Sequence, residues 1–195
     1  MGLVAPGLGL GHGVILRNWK LALVLVAGSA FAQVTAQPAG EKLAPYYPTP
    51  DSIVRKMLDF GQLKAGERMF DLGSGDGRIV IMAARDFQAD STGVELDTDL
   101  YLASEAKIKK LGLQKLARII HGDIMTQDYS SAKLITVYLL PESNIKARPI
   151  LEAQLKKGTR VVAHDFGIGG WTPVKTVTIA DDGEGRSHTL YLYIR

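Results

Sequence analysis

Three glycines stand at alternate positions, Gly73, Gly75 and Gly77, in the stretch Asp71 to Arg78 (DLGSGDGR), between an apolar run ending at Leu72 and a helix-like run beginning at Arg78. Glycine lets a backbone turn sharply and approach a ligand where a Cβ would collide. The first amides of a helix that starts from such a turn point unpaired N–H groups into the crevice, which suits a nucleotide-type ligand. The spacing is G-x-G-x-G, not the G-x-G-x-x-G of dinucleotide binders. Glu95 follows Gly75 by 20 residues, at the end of the next strand-like run. There a carboxylate can take both hydroxyls of an adenosine ribose. Asp123 follows the third such run, where it can accept from an adenine amino group. Ser74 and Gly77 in the turn, and Ile124 beside Asp123, complete this set of candidate contacts. Any one of the acids also suits a turn cap. Three at the ends of neighbouring strands fit an adenosine ligand without phosphates, and a sulfonium cation.

The elements that must position these residues follow from periodicity and turn chemistry. Thr49-Pro50-Asp51 reads as an N-cap, a first-turn proline and a first-turn acid, opening a helix that stops near Gly61. Tyr46, Tyr47 and Thr49, just before it, suit either packing and capping or a cover over the cofactor. Strands are expected at Arg68 to Leu72, Ser91 to Leu96, Ala117 to His121, Leu134 to Leu140 and Arg160 to His164. Helices are expected at Arg78 to Phe87, at Thr98 to Leu111 with Leu100, Ala103, Ile108 and Leu111 inward, and from near Pro149 to Gly158. Val174 to Ile179 and Thr189 to Ile194 are β-rich runs around an Asp182-Gly183 turn. The fold class is therefore α/β, a Rossmann-like, mostly parallel seven-stranded sheet with a C-terminal antiparallel hairpin.

Composition narrows the function classes. With 46% hydrophobic and 22% charged residues the 195-residue chain has the makings of a folded domain. There is no cysteine, which excludes disulfides, thiolate metal ligands and cysteine nucleophiles. The four histidines show no ligand spacing, so no metal is expected. Arg17 and Lys20 precede the apolar run Leu21 to Ala27 and a small-x-small Ala30-Phe31-Ala32. Residues 1–32 thus read as a signal peptide or N-terminal anchor, 33–45 as a linker and 46–195 as the domain. Without the leader, 21 basic residues face 20 acidic ones, which offers little electrostatic reason to bind nucleic acid. An exported or membrane-anchored location follows from the leader.

On these motifs the chain resembles the class I, seven-stranded S-adenosylmethionine-dependent methyltransferases, from Tyr46 to Arg195. DLGSGDGR is the glycine motif, GVELD (Gly93 to Asp97) carries the ribose acid and HGDI (His121 to Ile124) the adenine acid. It is similar to small bacterial relatives of the mitochondrial lysine methyltransferases of the adenine nucleotide carrier and the ATP synthase c-subunit. YYPTP at Tyr46 to Pro50, YLLPE at Tyr138 to Glu142, the segment Arg148 to Phe166 and Trp171-Thr-Pro carry that likeness. The resemblance implies S-adenosylmethionine as methyl donor, bound by Asp71, Gly73, Gly75, Glu95 and Asp123, and a protein lysine as acceptor, in a membrane protein for some relatives. The donor is made in the cytoplasm, which conflicts with export.

Methyl transfer is an in-line displacement, so catalysis is mostly proximity and alignment. Tyr138, Glu142 and His164 are the candidate catalytic residues, at the ends of the fourth and fifth strands. His164 reads equally as a base or as a histidine bonded by its loop, Glu142 as an amine-orienting acid or a helix-start acid, and Trp171 as a channel wall or core cover. The Asn/Asp-Pro-Pro-aromatic motif of many adenine methyltransferases is missing from YLLPE. A small-molecule or nucleic-acid methyltransferase, or a non-catalytic adenosine-ligand-binding protein, is the alternative.

Overall fold

The computed structural model describes residues 40–195, and the leader expected at residues 1–32 lies outside them. Seven strands, β1 (Arg68–Leu72), β2 (Asp90–Glu95), β3 (Ala117–His121), β4 (Leu134–Val137), β5 (Arg160–His164), β6 (Lys175–Ile179) and β7 (His188–Ile194), form one sheet in the order β3-β2-β1-β4-β5-β7-β6. The first five are parallel, and β7 runs antiparallel between β5 and β6. The chain steps outward from β1 to β3, then returns to lay β4 on the other side of β1. That reversal opens a crevice beyond the carboxyl ends of β1 and β4, the usual ligand position in such sheets.

Strand alternation sends side chains to two faces. On one, Met69, Leu134, Val162, Leu190 and Leu192 meet α1 (Asp51–Phe60) and α2 (Arg78–Phe87), whose Ile53, Val54, Met57, Leu58, Ile79, Met82 and Ala83 are buried. On the other, Phe70, Leu72, Ile135, Val137, Val161, Ala163 and Tyr193 meet Tyr129 and α4 (Pro141–Gln154). Trp171 packs edge-on against Tyr193 and donates its Nε1–H to Glu152 at 2.7 Å, so it covers this core. Ile108 of α3 (Thr98–Lys110) joins Val80, Ile81, Ala84, Ala117 and Ile119 in a third cluster.

Several expectations change. The helix expected from Pro149 starts at Pro141 instead, and Pro149 lies inside it. Pro141 takes the first helical position, where no amide is needed, and the buried stripe is Ser143, Asn144, Ala147 and Leu151. β4 ends at Val137, because Tyr138 to Leu140 leave the ladder to enter α4. In α3 only Ser104 and Ile108 are buried, while Ala103 and Leu111 are exposed. Thr49 makes no cap: Pro50 holds that place, and the Thr49 hydroxyl is spent on His164. Residues 41–45, expected as linker, run along the crevice, and Leu43 and Ala44 pack on the core.

Candidate active site

The crevice encloses about 930 Å³, including its open mouth. Of the residues singled out by sequence, Asp71, Gly73, Ser74, Gly75, Glu95, Asp123, Ile124, Tyr47, Thr49 and Tyr138 line it. Gly77, Glu142 and His164 do not.

The glycine turn is folded back onto β2, where the Gly73 and Ser74 amides both donate to the Val94 carbonyl at 3.0 Å. Gly75 has φ 54°, and a Cβ there would lie 2.8 Å from the Tyr46 ring. Its amide donates to Glu95 Oε2 at 2.7 Å, while Glu95 Oε1 accepts from Asp97 N at 2.8 Å. Glu95, only 8% exposed, is thereby fixed between the turn and the start of α3 before any ligand arrives. Gly77, at φ 77°, caps α2 and lies against Ser104, so its part is to seat the helix. Asp123 Oδ1 accepts from Met125 N at 2.8 Å, at the start of a short 3-10 turn (Ile124–Thr126).

Two features fit the amino-acid end and sulfonium of S-adenosylmethionine, while the buried Ser74 hydroxyl, without a hydrogen-bond partner among the described residues, packs against Gly93 of β2. Gly75 leaves a backbone surface that a side chain would fill. Asp71 supplies a buried carboxyl, 2% exposed, accepting from Thr136 Oγ1 at 2.7 Å. Burial pushes the Asp71 carboxyl up to about 7; the Thr136 bond opposes the rise, and the nearby Glu95 and Asp76 carboxylates add to it. A cationic donor favours the ionised form, so donor affinity should rise with pH until the carboxyl is ionised. Calorimetric titration from pH 6 to 8.5 should show about a fivefold gain in affinity from pH 6 to 7 and about a further twofold above it. In Asp71→Asn this pH dependence should vanish. A wild-type profile as flat as the variant's would remove Asp71 from the linkage.

Sequence reasoning gave no role to Asp76, Arg78 or Lys107. Arg78 grips Asp76 with two bonds, Nε–Oδ1 at 2.9 Å and Nη2–Oδ2 at 3.0 Å, and Lys107 of α3 adds a third at 2.8 Å. Burial works against the Asp76 charge, yet Arg78 and Lys107 hold its carboxyl at about 2. Arg78 also donates to the Thr49 carbonyl at 2.9 Å, tying the segment before α1 to the turn. The opposite charges two residues apart in DGR were the available signal.

Tyr138 is half-buried, packs at a tilt of 38° against His164 with ring centroids 4.0 Å apart and donates to Asp165 Oδ2 at 3.3 Å. Burial, then Asp165, pushes its phenol up to about 12, so it stays a hydroxyl and not a base. His164 is fully buried, with Nδ1 3.2 Å from Thr49 Oγ1 and Nε2 2.8 Å from His188 Nδ1. Both ring nitrogens are therefore engaged by protein partners, and His164 itself does not line the crevice. Burial brings its pKa down to about 4, with Asp165 opposing and His188 and Arg186 assisting. Glu142 is exposed on the first turn of α4.

The chain is similar to known proteins over most of its described residues. The sequence profile of the ANTKMT methyltransferase domain matches residues 71–175. A protein-lysine N-methyltransferase of Saccharolobus islandicus (strain REY15A) is 40% identical over 77% of this chain and 92% of its own length. The lysine N-methyltransferase of the ATP synthase c-subunit from Xenopus laevis is 32% identical over 76% of this chain and 66% of its own. Among solved structures, an RNA methyltransferase from Salinibacter ruber in complex with S-adenosyl-L-homocysteine is 43% identical, with a TM-score of 0.70, over 76% of this chain and 93% of that one.

Proposed function

The chain belongs to the ANTKMT methyltransferase-domain family and is an S-adenosylmethionine-dependent methyltransferase, and on that premise we propose that it methylates the side-chain amine of lysine in a protein substrate. The observation that carries the proposal is a preformed crevice in which Glu95 and Asp71 flank the glycine turn, with Tyr138 on its wall. When bound, the donor supplies a methyl group on a positively charged sulfur, already activated for displacement. Glu95 would hold the ribose side, Asp123 the adenine side, and Asp71 would face the cationic end. Tyr46, Tyr47, Tyr138 and Leu139 give the wall an aromatic and apolar character. Burial against such a wall lowers the pKa of an incoming lysine, so that the neutral amine forms without a dedicated base. With His164 engaged on both sides and Tyr138 held protonated, the chain's contribution is alignment and water exclusion.

Relatives named for lysines of the ATP synthase c-subunit and of the adenine nucleotide translocase support a membrane protein as the acceptor. The Salinibacter relative, described as an RNA methyltransferase, makes RNA the comparison to run. Purified protein incubated with methyl-labelled donor should label proteins of a membrane extract, and acid hydrolysis should release the label as N-methyl-lysine. Prior chemical acetylation of the extract's lysines should abolish it. Label confined to an RNA pool or a small-molecule pool would overturn the acceptor, and donor binding without transfer to any pool would overturn the activity.

A further inference from the structure

Behind Tyr138, three side chains converge that the methyl-transfer reading leaves unused. His164 closes β5, Asp165 follows it, and His188 opens β7. The histidines are 24 residues apart in sequence and predict no site by spacing. The antiparallel register pairs His164 with Leu190, which puts His188, two residues away, on the same face. His164 Nε2, His188 Nδ1 and Asp165 Oδ2 form a triangle with edges of 2.8, 3.3 and 3.5 Å. Around a tetrahedral zinc ion, with bonds of about 2.0 to 2.1 Å, ligand atoms stand about 3.3 to 3.4 Å apart.

We propose that His164, Asp165 and His188 bind a single divalent transition-metal ion of the zinc type, with one coordination position left for water. Two imidazole nitrogens and a carboxylate oxygen are the donor set of such ions, not of magnesium or calcium. The outer atoms of the triangle are arranged as they are around metal-bound histidines. His188 Nε2 lies 3.0 Å from Asp182 Oδ2, and His164 Nδ1 lies 3.2 Å from Thr49 Oγ1, so each ring is held from behind with its inner nitrogen turned to the triangle. Asp165 is a non-glycine residue at φ 57°, a strained backbone state that persists where surroundings enforce it. Its Oδ1 accepts from Thr189 N at 2.9 Å, while Oδ2 faces both histidines and also accepts from the Tyr138 hydroxyl at 3.3 Å. The Asp165 and Asp182 carboxylates balance a dication, although Arg186, 3.6 Å from Asp182, competes for part of that charge. On binding, the ion takes the place of the proton shared by His164 and His188, which leaves to solvent. The ion would join the ends of β5 and β7 and, through Thr49, the segment along the crevice.

The test uses the tag-free full chain stripped with EDTA. Cobalt(II) should bind with the intense visible bands of a tetrahedral site, and zinc should displace it at one equivalent by calorimetry. His188→Gln and Asp165→Asn should each weaken zinc at least tenfold, and Asp182→Asn, which leaves all three ligands in place, about ten- to a hundredfold. Zinc should raise the melting temperature of the wild type but not of His188→Gln. No stoichiometric uptake, an octahedral cobalt spectrum, or zinc affinity unchanged in both His188→Gln and Asp165→Asn would overturn the site. Should those variants fail to fold, the wild-type cobalt spectrum and the Asp182→Asn affinity decide it. None of these readouts depends on methyl transfer.

Discussion

Glu95→Ala is expected to weaken binding of S-adenosylmethionine about a hundredfold or more while the sheet stays folded. The carboxylate accepts from Gly75 N at 2.7 Å and from Asp97 N at 2.8 Å, and both bonds lie in the crevice wall. Hydrogen bonds to a charged partner contribute about 1.5 to 3 kcal/mol each. Alanine leaves two amides without their acceptor and removes the group that faces the ribose. A loss of about 2.7 kcal/mol corresponds to a hundredfold in affinity. Glu95→Gln should recover little, because one end of the introduced amide is a donor and would face a backbone donor, Gly75 or Asp97. Calorimetry with S-adenosylhomocysteine, alongside circular dichroism, measures both effects. An affinity within threefold of wild type in Glu95→Ala would falsify the assignment of Glu95 to the donor site.

Elements governed by local pattern were legible in the sequence. The bounds of β1, α2, β3 and β5 follow from apolar runs broken by glycine and polar turns, and the 20-residue step from Gly75 puts Glu95 at the end of the next strand, whereas its bond to the Gly75 amide was not expected. What was hidden depends on partners distant in the chain. The buried stripe of α4 opens with Ser143 and Asn144, polar residues that read as loop. They are held inside because Ser143 donates to the Leu43 carbonyl and the Asn144 Nδ2 amide to those of Phe166 and Gly167. Thr49 has the sequence of a cap, but the neighbouring His164 nitrogen takes its hydroxyl. His164 and His188 meet because β7 inserts beside β5 in the opposite direction, a choice of strand order that spacing does not express. The same holds for residues 41–45, whose composition is that of a linker while the Lys42–Asp97 and Lys146–Glu41 ion pairs fasten them along the crevice.

Gly93→Val is the second large effect, and it falls on a residue with no ligand contact. Gly93 lies in β2 opposite Asp71, and a Cβ built on it would stand 2.5 Å from Ser74 Cβ and 2.7 Å from Ile119 Cδ1. Ile119 can change rotamer. Ser74 cannot move alone, because its amide and that of Gly73 are both bonded to the Val94 carbonyl. Any side chain at residue 93 therefore pushes the glycine turn off β2 and carries the Gly75 amide away from Glu95. Overpacking of this kind costs about 1 to 3 kcal/mol, which for a domain of this size is about 2 to 4 °C of melting temperature per kcal/mol. Gly93→Ala should show the lower end of that range and Gly93→Val the upper end or beyond, each with donor affinity reduced about tenfold or more. Gly112→Ala supplies the contrast: φ there is +68°, but nothing lies within 4 Å of its Cβ. It should cost about 1 to 2 kcal/mol of backbone strain and leave donor binding unchanged. If Gly93→Val lost stability but bound donor normally, the turn would be free to shift without Ser74, and the rigid seating of the turn on β2 would be wrong. Coupled losses in Gly93→Val, set against an isolated stability loss in Gly112→Ala, would mean that donor affinity is built into the contact between the turn and the strand beneath it.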